Sequence, residues 1–142
     1  MNARRLATVD GNQYLSSTAT RTLLRHGQRQ ALKRLARADM IDLEDASALV
    51  GESAKTIKRW IARRWCIGLT VDGHVLRLPR WQFDGDLLLW VEPIFEALDT
   101  RSGWTVLSFL EAPNGALEGR TPRQALEQGD VAQVLDLASF IT

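Results

Sequence analysis

Leu43-Glu44-Asp45-Ala46-Ser47-Ala48-Leu49-Val50-Gly51-Glu52-Ser53-Ala54-Lys55-Thr56-Ile57-Lys58-Arg59-Trp60-Ile61-Ala62-Arg63-Arg64 is the stretch that decides the fold. It reads as two short helices around a tight turn. The first covers Leu43 to Val50, with Ala46, Leu49 and Val50 as its apolar side. Gly51 ends it, because a helix commonly closes on a left-handed residue that glycine adopts without strain. Ser53 stands at an N-cap position, and a second helix continues over Lys55 to Arg64. On that helix Ile57, Trp60 and Ile61 follow the i, i+3, i+4 rule and face inward. Lys55, Lys58, Arg59, Ala62 and Arg63 face outward, with Thr56 at the edge. The spacing from Gly51 to Ile57 and Trp60 is that of a helix-turn-helix. Ser47 and Glu52 depart from the motif, which more often has alanine and an apolar residue there.

The next residues read as a β-hairpin. Leu69-Thr70-Val71, Asp72-Gly73 and His74-Val75-Leu76-Arg77-Leu78 form two strands around a two-residue turn of type I′ composition. Pairing Val71 with His74 sets Leu69 opposite Leu76, so that Leu69, Val71, Leu76 and Leu78 share one face, covered by Ile57, Trp60 and Trp65. A hairpin directly after a basic helix is the wing of a winged helix-turn-helix. Its Arg77 reaches a DNA backbone or minor groove. The candidate DNA-binding residues are therefore Ser53, Lys55, Thr56, Lys58, Arg59, Arg63, Arg64 and Arg77. Arginine and lysine suit guanine edges and phosphates, and hydroxyls read either kind of base pair.

On the amino-terminal side, residues 1–16 read as a mobile arm. A helix begins at Ser17 or Thr18, with Leu24, Gln28, Ala31, Leu32 and Leu35 on one stripe that packs on a core or a partner helix, while its basic residues offer the alternative of lying against phosphates. On the carboxy-terminal side the chain is helical and acidic. A stripe of Leu87, Leu88, Val91, Ile94, Phe95 and Leu98 is interrupted at Pro93. Ser102 starts a short helix with Trp104, Leu107 and Leu110 inward, and Pro113-Asn114-Gly115 is a turn. Thr121-Pro122 is an N-cap with an N1 proline. Gly129 stops that helix and Asp130 caps the last, whose Val131, Val134, Leu135 and Ala138 face one way. The expected fold is mainly α: residues 17–84 as a helix plus winged helix-turn-helix, and residues 85–142 as an all-helical bundle.

Charge follows this division. Residues 1–80 carry fifteen Lys or Arg against seven Asp or Glu, a net +8, and residues 81–142 carry three against ten, a net −7. Such an asymmetry implies two partners: a polyanion for the basic part and something other than nucleic acid for the acidic part. At 142 residues, with 45% apolar and 25% charged, the chain has globular composition. Its longest apolar run, Leu87 to Val91, is far below the about 20 residues that span a bilayer. No secretory signal follows Met1–Arg5. A lone Cys66 excludes an internal disulfide and a cysteine-based zinc site. The expected location is therefore the cytoplasm, with no membrane association. Catalysis is not expected. His26 and His74 lack a second ligand or a purposeful carboxylate, Asp84 and Asp86 suit a helix start, and no phosphate-cradling loop is present. No metal or cofactor is implied.

Two stretches resemble a known pairing. Pro79-Arg80-Trp81-Gln82-Phe83-Asp84, after an excisionase-like helix-turn-helix, resembles the junction of DNA-binding antitoxins of bacterial toxin–antitoxin modules. Residues 86–138 resemble the Xre/MbcA/ParS-type toxin-binding domain through Trp104, Phe109-Leu110, Pro113-Asn114, Leu117, Gly119, Thr121-Pro122, Ala125-Leu126, Gly129 and Val134. The resemblance implies a RES-type toxin partner, a relative of ADP-ribosyltransferases that targets NAD. It also implies repression of the protein's own operon through double-stranded operator DNA. Arg120, Arg123, Phe140, Ile141 and Thr142 are the toxin-contact candidates on that footing. A homodimer is expected, because symmetric half-sites are the common solution for one helix-turn-helix per chain. The alternative is a stand-alone dimeric transcriptional regulator without a toxin.

Overall fold

Asp42, Ser53, Ser102 and Thr121 each adopt extended backbone, and each accepts with its side-chain oxygen from the backbone N–H three residues on. Each such cap satisfies an N–H that the first turn of a helix leaves without a partner. In a computed structural model, which describes residues 17–141, these caps open four of the seven α-helices. The elements run α1 (Ser17–Leu35), β1 (Met40–Ile41), α2 (Leu43–Val50), α3 (Ala54–Ala62), β2 (Leu69–Val71), β3 (His74–Pro79), α4 (Val91–Ala97), α5 (Gly103–Glu111), α6 (Pro122–Glu127) and α7 (Val131–Phe140). Short 3-10 turns occupy Arg80–Phe83, Leu87–Trp90 and Gly115–Leu117. The protein is thus mainly helical with a small antiparallel sheet. The expected arm, residues 1–16, lies outside the described residues.

The chain divides into two compact units between Arg37 and Ala38. The first contains α1. Its expected apolar stripe is largely uncovered: Leu24 is 62% exposed and Leu32 42%, although Leu35 is buried. The second unit contains everything from β1 onward, so the expected boundary at 84/85 falls inside it. The reason is contact across that point. Trp65 Nε1 donates to Glu92 Oε2 at 3.1 Å, and Trp104 Nε1 donates to the Thr70 carbonyl at 2.9 Å. Gly103 brings α5 so close to the loop before β2 that a Cβ there would sit 3.0 Å from the Gly68 carbonyl oxygen.

The sheet has the order β1-β3-β2. β1 pairs Met40 with Pro79 and Ile41 with Leu78; a two-residue strand is too short for alternation to announce it. The hairpin turns at Asp72 (φ 54°) and Gly73 (φ 75°), the type I′ pattern. Its register differs from the expected one. Val71 does pair with His74, but a bulge at Val75 (φ 58°) sets Leu69 opposite Arg77 rather than Leu76. Leu78 still packs on Ile57 as expected, in one buried cluster with Ala46 and Cys66, with Leu76, Trp60, Ile61 and Leu88 packed against it. Leu69 lies against Gly103.

Helix α3 ends two residues earlier than expected. Arg64 takes the left-handed conformation (φ 61°), and the N–H of Trp65 bonds to the Trp60 carbonyl at 2.9 Å. That is a Schellman-type stop built on arginine instead of glycine. Pro93 falls in the first turn of α4, where proline is tolerated, and the preceding Leu87–Trp90 forms a separate 3-10 turn. Asp130 does not cap α7 with its side chain. Its carboxylate takes Arg120 Nη1 instead, at 2.7 Å. Gln82 is fully buried in the turn after β3. Its amide accepts from Ile67 N–H at 2.7 Å and donates to Ile67 C=O at 2.9 Å.

Burial pushes the Cys66 thiol up to about 12, so it stays protonated and inert in the native protein. A thiol reagent is expected to label Cys66 only as fast as the second unit unfolds. Rapid labelling without denaturant would contradict that packing. No helix among the described residues is long and apolar enough to cross a membrane.

Candidate nucleic-acid interface

Helix α3 has two contrasting sides. Ile57 is completely buried and Trp60 and Ile61 are half-buried, while Lys55, Lys58, Arg59, Ala62 and Arg63 are exposed. The i, i+3, i+4 spacing that anchors the first set aligns the second set outward. Helix α2 holds this face in place. Gly51, at φ 75°, turns the chain between the helices. The two departures from the motif are also accounted for: the Ser47 hydroxyl donates to the Glu52 carbonyl and braces the turn, and the Glu52 side chain remains exposed.

The other candidates divide. Ser53 and Thr56 stand at the start of α3, where Ser53 Oγ accepts from Thr56 N–H and donates to Thr56 Oγ1 at 2.9 Å. Their hydroxyls fix the first turn before they meet any ligand. Arg63 lies over the Trp65 ring, 5.2 Å from its centroid, a favourable cation–π position. Arg64 is not brought onto the outward face. It lines a cleft of about 340 Å³ with Glu92, Phe95, Glu96, Asp99 and Arg101. Arg77 is half-buried on β3, and its Nη1 donates to the Leu76 carbonyl at 2.8 Å.

In the carboxy-terminal helices, Arg120 is an internal brace. Nη1 reaches Gln128 Oε1 at 2.6 Å as well as Asp130, and Nε donates to the Leu117 carbonyl at 3.0 Å. Arg123 pairs with Glu127 at 3.2 Å and lies 4.5 Å from the centre of the Trp81 ring. Both arginines, expected to meet a partner, are engaged within the chain. Phe140 is 86% exposed; Ile141, 52% exposed, borders a hollow with Leu98, Phe109 and Pro122. Thr142 lies outside the described residues.

Trp60, Trp65, Leu88, Leu89 and Glu92 line an apolar cleft of about 340 Å³ beside α3. Trp65, expected to cover the hairpin, is 40% exposed there. No local pattern ties residue 65 to residue 92; only the tertiary fold brings them together. Among the described residues, no three of His, Cys, Asp or Glu lie together as a metal-holding group. Compared with protein-family models, curated proteins and solved structures, the chain matches none.

Proposed function

We propose that the chain is a DNA-binding antitoxin. In this reading α2, α3 and the β2–β3 hairpin form a winged helix-turn-helix that places α3 in the major groove of operator DNA. The acidic helices α4–α7 cover a toxin of the NAD-targeting RES type, and the protein represses its own operon as a homodimer without catalysing a reaction. The observation that carries the DNA reading is the outward set of Lys55, Lys58, Arg59 and Arg63 on a helix whose opposite side is anchored by buried Ile57. The toxin reading is supported by the resemblance of residues 86–138 and by the change of net charge from +8 to −7.

Arg59→Ala is expected to weaken binding to the promoter fragment by about 1–3 kcal/mol if its guanidinium reads a base edge. Lys58→Ala should lower the log–log salt slope by about one unit, as for a phosphate contact. Circular dichroism should not change, because both side chains face solvent. Retardation equal to wild type by both Arg59→Ala and Arg63→Ala would remove the groove assignment. Co-expression of the full chain with an adjacent toxin-like gene tests the other half: growth should be restored. Promoter binding without rescue would leave the stand-alone dimeric regulator, for which exposed Leu89 and Phe140 offer self-association surface.

A further inference from the structure

Helix α1 belongs to neither surface discussed above. Arg21, Arg25, Arg29, Lys33 and Arg37 recur at a strict four-residue interval, the first four on α1 and the last two residues beyond it. All five are exposed, and none has an ion-pair partner among the described residues. From Ser17 to Arg37 there is no Asp or Glu. Like charges four apart face each other on a helix and destabilise it, whereas a solvated helix usually alternates their sign. Here successive like pairs go uncompensated within the helix, which leaves the row open to an external anion.

We propose that α1 is a second, sequence-independent nucleic-acid surface that follows the phosphates of a duplex. Four residues advance a helix by about 6 Å and turn it by about 40°, so Arg21, Arg25, Arg29 and Lys33 wind over about a third of the helix circumference and present successive cations to the phosphates that border a groove. An anionic membrane is the less suitable partner. An interfacial helix needs an uninterrupted apolar face, but Arg21 and Gln28 fall between Leu24 and Leu32 on the helix circumference, and Leu23 projects on another side. The proposal concerns α1 alone and does not depend on α3 reading an operator.

The test uses the full-length protein with Arg25→Gln, Arg29→Gln and Lys33→Gln combined. Glutamine is a good helix former, so the helical signal should hold or rise. Binding to a random-sequence duplex and to the promoter duplex is measured across a range of salt. The triple variant is expected to lower the log–log slope by about 2–3 units on both duplexes and to leave their affinity ratio unchanged. An unchanged slope overturns the proposal, and an Arg59→Ala defect in the same experiment would show the α3 reading standing without it. Wild-type binding to vesicles containing anionic phospholipid, lost in the triple variant while both DNA slopes stay the same, would overturn it in favour of a membrane surface. Failure of the wild type to bind either duplex at low salt would overturn both readings.

Discussion

Gln82→Leu is expected to destabilise the second unit by about 2–6 kcal/mol. The native glutamine is fully buried, and one side-chain amide satisfies both the N–H and the C=O of Ile67. Leucine fills a similar volume but offers neither partner. Each buried backbone group left without a hydrogen bond costs about 1–3 kcal/mol, against a total stability of about 5–15 kcal/mol for a whole domain. Chemical denaturation followed by circular dichroism should show the midpoint falling with little change in slope. Gln82→Asn keeps the amide but shortens its reach by one methylene, so it should lose most of the same stability. A Gln82→Leu protein with a native midpoint would show that Ile67 finds other partners.

The second large effect is expected from cutting the chain after Asp84. The charge changes sign near there, which makes the site attractive for separating two activities. The packing predicts that neither piece will fold. A fragment ending at Asp84 strips the Trp104 donor from the Thr70 carbonyl, removes α5 from Leu69 and uncovers the cluster of Ala46, Ile57 and Leu78 that Leu88 packs against. The remainder is 58 residues of short helices, a size at which burial balances chain entropy only marginally, and here it also loses the contacts to Thr70, Leu69 and the Ile57 cluster. Both fragments should give poorly dispersed amide spectra and non-cooperative melting, and mixing them should restore part of the native signal. A well-dispersed spectrum from residues 1–84 alone would refute the single-unit description. If this expectation holds, loss of toxin rescue by either fragment says nothing about the antitoxin reading, which must be tested on the full chain.

The same packing marks where the sequence is readable. Signals confined to a few neighbouring residues are legible. Ser53 caps α3, Gly51 is left-handed at the end of α2, and Thr121 caps α6 with Pro122 in its first turn. The inward direction of Ile57 followed from helical spacing alone. Features that depend on distant partners did not come through. Gln82 has no local signature, because nothing in its neighbours distinguishes an amide that will mimic a strand. Val75 and Arg64 carry positive φ without being glycine, so the hairpin bulge and the early end of α3 had no marker. The bonds of Arg120 to Asp130 and the stacking of Arg123 on Trp81 likewise join residues too far apart in sequence for any local pattern to mark. The net charge of each half described surface composition, and packing ignored it.

The way the hairpin is anchored bears on how it can change. Its base is fixed at two places, by the Gln82 amide at Ile67 and by the Trp104 indole at Thr70. Everything from Asp72 to Val75 is exposed. Because loop-closure entropy rises only slowly with length, residues inserted beyond those anchors need not disturb the base. The tip is therefore an extension point: the reach of the hairpin can be lengthened or its charge exchanged while the scaffold beneath stays the same. Descendants of this chain, natural or engineered, have there a place to diversify that is insulated from folding.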